Sequence, residues 1–228
     1  MEKLVYLLAQ PANVPGADLR AALVDAAAPR LRDAGATKIS MSLDDESVAH
    51  GEGVRIRRAS PPIRAMVSFW MENADDRGGC EAILGANAEG LSGYLVAESR
   101  PLVHAPPIGE RMAGTNLVTC IRKRPDLSDE QFIDLWNNEH KAVALETQAT
   151  FSYVRNAVVR ALTPDAHPWD GIVEEGFPIE ALSDPKAWYD CNSDDELKHR
   201  LARMVASVKG FLDLADMESA PMSEYFLG

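Results

Sequence analysis

The sequence has few of the features that mark secreted, membrane-spanning or disulfide-bonded proteins. Its 228 residues include three cysteines, Cys80, Cys120 and Cys191, and none has CxxC or CxxH spacing, which favours reduced thiols. No apolar run approaches the ~20 residues that a membrane helix needs. The apolar start at residues 1–10 is too short for a signal peptide and is predicted to be a strand. We therefore expect a soluble, cytoplasmic protein.

Basic residues are also in the minority, with 23 Lys and Arg against 35 Asp and Glu and a net charge of −12. Such a surface repels nucleic acids and anionic membranes, so neither is an expected partner. The sequence has no phosphate-binding glycine loop, no G-x-S-x-G motif and no His and carboxylate pair with firm metal-ligand spacing. We expect no nucleotide, no metal and no other cofactor, which leaves a small molecule as the expected partner.

The same order of predicted elements occurs twice when Leu117 is aligned with Leu4. Each half reads βαββαβ, the ferredoxin-like motif, in which two helices cover one face of an antiparallel sheet. The other face of each sheet must be buried elsewhere. The predicted fold class is therefore α+β, with two tandem ferredoxin-like halves, residues 1–104 and 115–228, whose antiparallel sheets pack into an intrachain α/β barrel. The predicted strands are 4–8, 37–43, 64–71, 93–101, 117–122, 151–159, 171–179 and 217–226, and the helices are 17–34, 75–88, 129–146 and 194–214.

The first helix of the second half carries the candidate for acid–base chemistry. Ser128 and Gln131 have the spacing of a capping box at its start. Trp136 and His140 follow four residues apart on one helical face, and histidine titrates near neutral pH without help. The aligned residues of the first half are Leu23 and Ala27. The second half is therefore the predicted site, and the first half is predicted to be a degenerate wall.

This second half resembles the EthD family of the dimeric α/β-barrel superfamily. The resemblance rests on the strand 117–122, the turn 124–128, the helix with Phe132, Trp136 and His140, and the segments 153–156 and 170–177. This sequence departs from the family pattern after His140. Lys141-Ala142 stands in place of a small residue and proline, so the helix is expected to continue. Related barrels include polyketide cyclases, cofactor-free monooxygenases, isomerases, decarboxylases, dehydratases and haem-containing chlorite dismutases. The resemblance therefore implies the fold and leaves the reaction open.

The candidate catalytic residues are His140, Glu174 and Arg155. His140 is either a general acid and base or a structural histidine at a helix end. Glu174 and Glu175 alternate across their strand, so one is expected to face the barrel interior, where it either orients His140, acts as a base or has a structural role. Arg155 and Tyr153 share one face of their strand. If they face inward, they are expected to bind the oxygen of an enolate or a phenol.

Aromatic residues are the candidates for substrate binding. Trp136 either packs in the core or orients a ligand through its indole N–H. Trp70 and Tyr94 are candidate walls for a flat aromatic ligand, and Trp169 follows His167 in a loop that forms either a lid or a surface turn. We expect the remaining histidines, which are His50, His104 and His199, to be solvated.

The leading hypothesis is a cofactor-independent cyclase, isomerase or dehydratase-type lyase that acts on an aromatic, polyketide-like or lactone substrate in the barrel. His140 would move the proton, and Arg155 or Tyr153 would stabilise the oxyanion. A cofactor-free monooxygenase, a non-catalytic binding protein with the same pocket and, more weakly, a haem protein are the alternatives. The chain is expected to act as a monomer or a homodimer.

Overall fold

All eight expected strands form, and they close into one antiparallel barrel. The computed structural model describes residues 1–58 and 60–228. The order around the barrel is β1-β3-β2-β8-β5-β7-β6-β4, with β4 returning to β1. The strands are β1 (Glu2–Ala9), β2 (Thr37–Leu43), β3 (Ile63–Met71), β4 (Gly90–Leu102), β5 (Thr115–Lys123), β6 (Ser152–Ala161), β7 (Gly171–Phe177) and β8 (Leu212–Phe226).

The helices lie against the outside of this barrel. In the first half, α1 and α2 flank a π-helical turn, Ala21–Ala27, and in the second half α4 and α5 flank another, Leu135–His140. Short 3-10 helices lie at Glu46–Val54, Ala74–Asp76 and Ile179–Leu182. The α-helices are α1 (Gly16–Arg20), α2 (Ala28–Asp33), α3 (Gly78–Gly85), α4 (Asp129–Asp134), α5 (Lys141–Thr147), α6 (Pro185–Trp188) and α7 (Asp194–Phe211).

Two seams join the ferredoxin-like halves. Each half keeps its own four strands in order, β4-β1-β3-β2 and β8-β5-β7-β6. Strand β2 pairs with β8, where Ser40 lies opposite Phe226, and β4 pairs with β6, where Tyr94 lies opposite Ala161. The predicted fold, two tandem ferredoxin-like halves in an intrachain α/β barrel, is therefore confirmed.

The last predicted helix was too long at its C-terminal end. It ends at Phe211 instead of residue 214, and Leu212 already begins β8 by pairing with Lys123 of β5. The backbone groups of residues 212–214 belong to a strand because a sheet partner lies beside them. Strand β7 likewise ends at Phe177, two residues before the predicted end, because Pro178 has no N–H to donate to the sheet.

Buried apolar side chains form separate clusters on the two faces of the sheet. Val5, Met66, Val118 and Met222 belong to the cluster inside the barrel. A second cluster fills the space between sheet and helices in the first half, where Tyr6 stacks on Phe69 with ring centroids 5.6 Å apart. A third occupies the equivalent space of the second half. Within residues 1–58 and 60–228, no helix is long and apolar enough to cross a bilayer.

Candidate active site

The start of α4 and the widened turn after it determine the position of His140. Ser128 accepts a hydrogen bond from the Gln131 N–H, and the Gln131 side chain accepts one from the Ser128 N–H, which confirms the predicted capping box. The helix then widens into the π-helical turn that ends at His140, just as the first-half turn ends at Ala27. Single π-helical turns of this kind are frequent at functional sites.

A cavity of about 250 Å³ lies between the second half of the sheet and its helices. Trp136 and His140 line it from the helix, whereas Tyr153 and Glu175 line it from the strands. Val54 and Ile56 reach it from the first half, so both halves build this site, which we call the sheet–helix cavity. Most of its other walls are apolar, among them Leu117, Ile121, Val173, Met204, Val208 and Phe211.

The cavity that His140 lines is not the interior of the barrel, where the sequence predicted that His140 would act. His140 and Tyr153 belong to the sheet–helix side, because Tyr153 and Trp136 share the third apolar cluster with residues of α7. Odd-numbered residues of β6 and β7 therefore point to the helices, and even-numbered ones point into the barrel. This alternation decides which of the predicted residues can act together.

His140 is neutral in this environment. Its Nδ1 lies 3.0 Å from the Ser207 Oγ, and its ring centroid is 4.8 Å from that of Phe211. Burial, and then the nearby positive charge of Arg155, lowers the pKa of His140 to about 4. At neutral pH the imidazole therefore carries one N–H and one free lone pair, and it is a poor proton acceptor.

Glu175 is the carboxylate of the sheet–helix cavity. It lies opposite Tyr153 on β6 and Leu117 on β5. The residue is half-buried, but its Oε1 atom is shielded from solvent and has no hydrogen-bond partner in the described part of the chain. Burial raises the pKa of Glu175 to about 7. A buried polar atom without a partner calls for an explanation, and a ligand that completes the site is one.

Tyr153 places a second unpartnered oxygen in the same cavity. The residue is fully buried, and its hydroxyl makes no hydrogen bond of normal geometry to any described residue. Burial, and then the Glu175 carboxylate, raises the pKa of the hydroxyl, which the nearby Trp136 side chain and Arg155 offset in part. Tyr153 therefore stays protonated, and its O–H is free to donate to a bound molecule.

Trp136 forms a wall of the cavity, and the position of its indole depends on a glycine. A Cβ atom at Gly171 would lie 2.5 Å from the Trp136 Cη2 atom, so the indole packs directly against the backbone of β7. Asp170 fixes this corner by accepting the Lys123 N–H at 2.9 Å and by pairing with Arg122 at 3.2 Å. The Asp-Gly pair of the sequence thus has a structural role beside the site.

Arg155 supports the cavity wall from outside the cavity. Its guanidinium lies over the rings of Trp136 and Tyr153, 5.7 and 5.9 Å from their centroids. It donates to the Trp136 carbonyl oxygen at 3.2 Å and to the Ser99 Oγ at 3.1 Å. Arg155 therefore ties β6 to the π-helical turn and depresses the pKa of His140.

Glu174 does not line the cavity that His140 lines, although both are predicted catalytic residues. It points into the barrel, where its Oε1 accepts a hydrogen bond from the Asn156 Nδ2 at 2.9 Å and lies 3.6 Å from the Lys3 Nζ. Trp70 and Glu174 line a second cavity, inside the barrel, which we call the barrel cavity. These two candidates belong to a different cavity from His140, because β7 exposes consecutive residues on opposite faces.

Tyr94 and Trp169 lie in the barrel as well, away from the sheet–helix cavity. The Tyr94 hydroxyl donates to the His167 carbonyl oxygen at 2.9 Å, and the Trp169 ring lies 4.1 Å from the His167 ring. Both aromatic side chains are buried in the cluster inside the barrel. The loop with Trp169 therefore closes an end of the barrel and does not form a lid on the site of His140.

The expectation of solvated histidines holds for two of the three. His50 and His199 are exposed. His104 is half-buried instead, because its ring packs edge-on against Phe151 with centroids 5.0 Å apart, and it lines the barrel cavity. In residues 1–58 and 60–228, no three His, Cys, Asp or Glu side chains are grouped closely enough to hold a metal ion.

Two features of the site were not recognised in the sequence. Glu175 is predicted only as the alternative to Glu174, and no motif of the sequence indicates Ser207. The cross-strand pairing of Tyr153 with Glu175 shows that Glu175 shares the face of Tyr153, because directly opposed residues point to the same face of a sheet. The alternation of the sequence alone does not say which face of β7 meets the helices.

The fold and the site define a class of protein, a duplicated ferredoxin-like barrel with a mostly apolar cavity beneath the helices of its second half. Residues 124–215 match the EthD domain. A search of curated proteins finds no match.

Solved structures show the same fold across the whole chain. A structure described as an anthrone oxidase-like protein superposes with a TM-score of 0.55 at 9% identity, covering 100% of this chain and 93% of that chain. A putative monooxygenase from Lactobacillus acidophilus NCFM superposes with a TM-score of 0.50 at 9% identity, covering 100% of this chain and 96% of that one. Likeness at this level of identity establishes the fold.

Proposed function

We propose that the protein is a small-molecule enzyme that moves a proton on a carbon acid bound in the sheet–helix cavity. The observation that carries this proposal is the unpartnered Glu175 carboxylate, whose pKa is about 7, facing a cavity that is otherwise mostly apolar. A general base acts best when its pKa lies near the working pH. Buried carboxyl groups with a raised pKa are also enriched at functional sites.

Glu175, in place of His140, is the proposed base, because His140 has a pKa of about 4 and Glu175 a pKa of about 7. The Glu175 carboxylate accepts a proton from a C–H bond next to a carbonyl group, and the negative charge moves to the carbonyl oxygen. Tyr153 donates its O–H to this oxygen. His140 donates its Nε2–H when Ser207 donates to Nδ1.

The fate of the proton distinguishes the reactions that the sequence left open. Returning it to another carbon isomerises the substrate, whereas giving it to a departing hydroxide releases water and completes a dehydration or cyclisation. The substrate we propose is a flat aromatic or unsaturated ketone or lactone, because Trp136 and Phe211 supply aromatic walls. A cavity of about 250 Å³ is below the ~300 Å³ at which drug-sized pockets begin, and it is far too small for a porphyrin. Haem therefore does not fit the sheet–helix cavity.

Oxygenation of the same carbanion is the second candidate. The two solved structures with this fold are described as an anthrone oxidase-like protein and a putative monooxygenase. In such a reaction the carbanion gives its electrons to O₂, so that a CH₂ group becomes a carbonyl and one water is released. Both candidates begin with the same proton abstraction by Glu175.

We propose a division of labour between the two halves. The half 115–228 supplies His140, Tyr153 and Glu175 to the site, whereas in the half 1–104 the equivalent space is filled by Tyr6, Leu23 and neighbouring apolar residues. Thr119 of the second half aligns with Tyr6, so a small side chain replaces a ring where the cavity opens. Because both halves lie in one chain, the proposed active form is a monomer, located in the cytoplasm.

The test is turnover of a substrate panel by matched variants. Purified wild type, Glu175→Gln, His140→Ala and the surface control Glu180→Gln are incubated with anthrones, phenolic ketones and unsaturated lactones, with and without O₂, and products are identified by mass spectrometry. We expect turnover by wild type and Glu180→Gln, and a loss of about 10²–10⁴-fold in Glu175→Gln. Products that need O₂ would assign oxygenation.

Each contrary outcome has a clear meaning. Full turnover by Glu175→Gln with none by His140→Ala would make His140 the base, as the sequence suggested. Saturable binding of panel compounds without turnover by any variant would make the protein a carrier. An unchanged rate between pH 6 and pH 8 would also contradict the assignment, because Glu175 ionises across this interval.

A further inference from the structure

The interior of the barrel holds a second cavity, separate from the site of the proposed function. It has a volume of about 400 Å³, and every one of the eight strands lines it. The segment Val103, His104, Ala105 and Pro106 borders it between β4 and β5. Apolar side chains such as Val5, Met66 and Met222 fill the neighbouring part of the barrel.

Buried charge sets the barrel cavity apart from a packing defect. Lys3 is 5% exposed, and its Nζ lies 2.5 Å from the Glu98 Oε2 and 3.6 Å from the Glu174 Oε1. These three side chains come from β1, β4 and β7. Burying such charges is costly unless they are paired. An apolar interior would close the barrel more cheaply, so a charged, open interior calls for a ligand.

Glu224 adds a third carboxyl group to the barrel cavity. Its Oε1 accepts a hydrogen bond from the Ser40 Oγ at 2.9 Å, and no cationic side chain of residues 1–58 and 60–228 lies within ion-pair distance. Burial, and then the Glu174 carboxylate, raises the pKa of Glu224 to about 7. Three carboxyl groups, those of Glu98, Glu174 and Glu224, therefore face the one buried ammonium group of Lys3, and a ligand ammonium group would reduce this imbalance.

Two exposed cations border the same cavity. Arg100 donates to the His104 carbonyl oxygen at 3.3 Å, and its positive charge acts on Glu224. Lys38 adopts a φ of 50°, which is uncommon for a residue with a side chain, and its Nζ lies 5.6 Å from the centroid of the Trp70 ring. A simple amine would have to pass these cations, whereas a ligand that also carries a carboxylate would pair with them.

We propose that the barrel cavity binds a small zwitterion, with its ammonium group at Glu224 and its carboxylate at Arg100 and Lys38. The ligand class is an amino acid or an ω-amino acid. This site shares no lining residue with the sheet–helix cavity. The proposal therefore stands whether or not Glu175 proves to be a catalytic base.

Calorimetric titration with defined probes tests this proposal. Glycine, 4-aminobutanoate and 6-aminohexanoate are titrated into the wild-type protein, and hexylamine and hexanoate serve as single-charge controls. We expect at least one zwitterion to bind. Both single-charge controls should bind with an affinity at least about tenfold lower. No heat from any zwitterion up to 20 mM, or equal binding of hexylamine, would overturn the proposal.

Variants locate the binding site. Glu224→Gln and Arg100→Gln should each lower the affinity for the zwitterion by about tenfold or more, since each removes one charge-assisted contact. Arg100 is exposed, so its variant keeps the fold even if Glu224→Gln proves unstable. Glu175→Gln is the matched control and should leave this affinity unchanged. Unchanged affinity in Arg100→Gln, or a loss in Glu175→Gln alone, would place the ligand elsewhere and overturn the assignment.

Discussion

Replacing Glu175 with glutamine should stabilise the protein in alkaline solution while removing the proposed base. An unfolded glutamate has a pKa near 4.5, and burial raises the pKa of Glu175 to about 7 in the folded protein. Below pH 4.5 the group is protonated in both states and contributes no pH dependence. Between these two values the unfolded state loses its proton first, so the free energy of unfolding falls as the pH rises. Above pH 7 the loss in the free energy of unfolding that Glu175 causes, its ionisation penalty, is nearly constant.

The magnitude follows from the two pKa values. Each pKa unit corresponds to about 1.4 kcal/mol, so the full penalty is about 3 kcal/mol, of which about 2.5 kcal/mol develops between pH 5 and pH 8.5. Glutamine has no such penalty. The difference in the free energy of unfolding between Glu175→Gln and wild type should therefore shift by about 2.5 kcal/mol in favour of the variant across this range, or roughly 5–10 °C in melting temperature.

Thermal and urea unfolding of both proteins at each pH is the assay. Every other titrating group is common to the two proteins, so its contribution cancels in the difference. Glu180→Gln, on the surface, is the control and should show an almost constant difference. A difference between Glu175→Gln and wild type that does not change with pH, or that changes in favour of wild type, would refute the raised pKa and the argument built on it.

Two further substitutions test the structural supports of the two cavities. Gly171→Ala places a methyl group 2.5 Å from the Trp136 ring and should lower the free energy of unfolding by about 1–3 kcal/mol, as measured by urea unfolding, whereas Gly210→Ala, whose added Cβ meets nothing within 4 Å, should not. An equal effect of both glycine variants would show that the indole packs elsewhere. Lys3→Met leaves buried carboxylates without their ammonium group and should cost about 3–5 kcal/mol by the same assay, whereas Lys198→Met on the surface should have almost no effect. A stable Lys3→Met protein would mean that the barrel carboxylates are protonated or hydrated.

The fold could be predicted from the sequence because its signals are local and occur twice. Alternating apolar residues mark the strands, Ser128 and Gln131 mark the start of a helix, and the alignment of Leu117 with Leu4 reveals the duplication. The pairing of Trp136 and His140 on one helical face is equally local. These signals gave the barrel and the half of the chain that contains the cavity.

The composition of the site was harder to predict because it depends on which face of each strand meets the helices. Glu174 and Glu175 are chemically identical neighbours, and the register that pairs Glu175 with Tyr153 is a tertiary property. The depressed pKa of His140 is also tertiary, because it arises from burial and from Arg155 on another element. The sequence therefore indicates the helix that lines the sheet–helix cavity, but it does not indicate which of the two neighbouring carboxylates shares that cavity with His140.

Proton exchange on a carbon acid tests the central claim most directly. Anthrone is incubated anaerobically in D₂O with wild type or Glu175→Gln, and deuterium at its CH₂ group is followed by mass spectrometry against buffer alone. The account predicts exchange above the buffer rate with wild type, rising with pH through about 7, and exchange at the buffer rate with the variant. Acceleration that Glu175→Gln retains, or no acceleration by wild type, would contradict it.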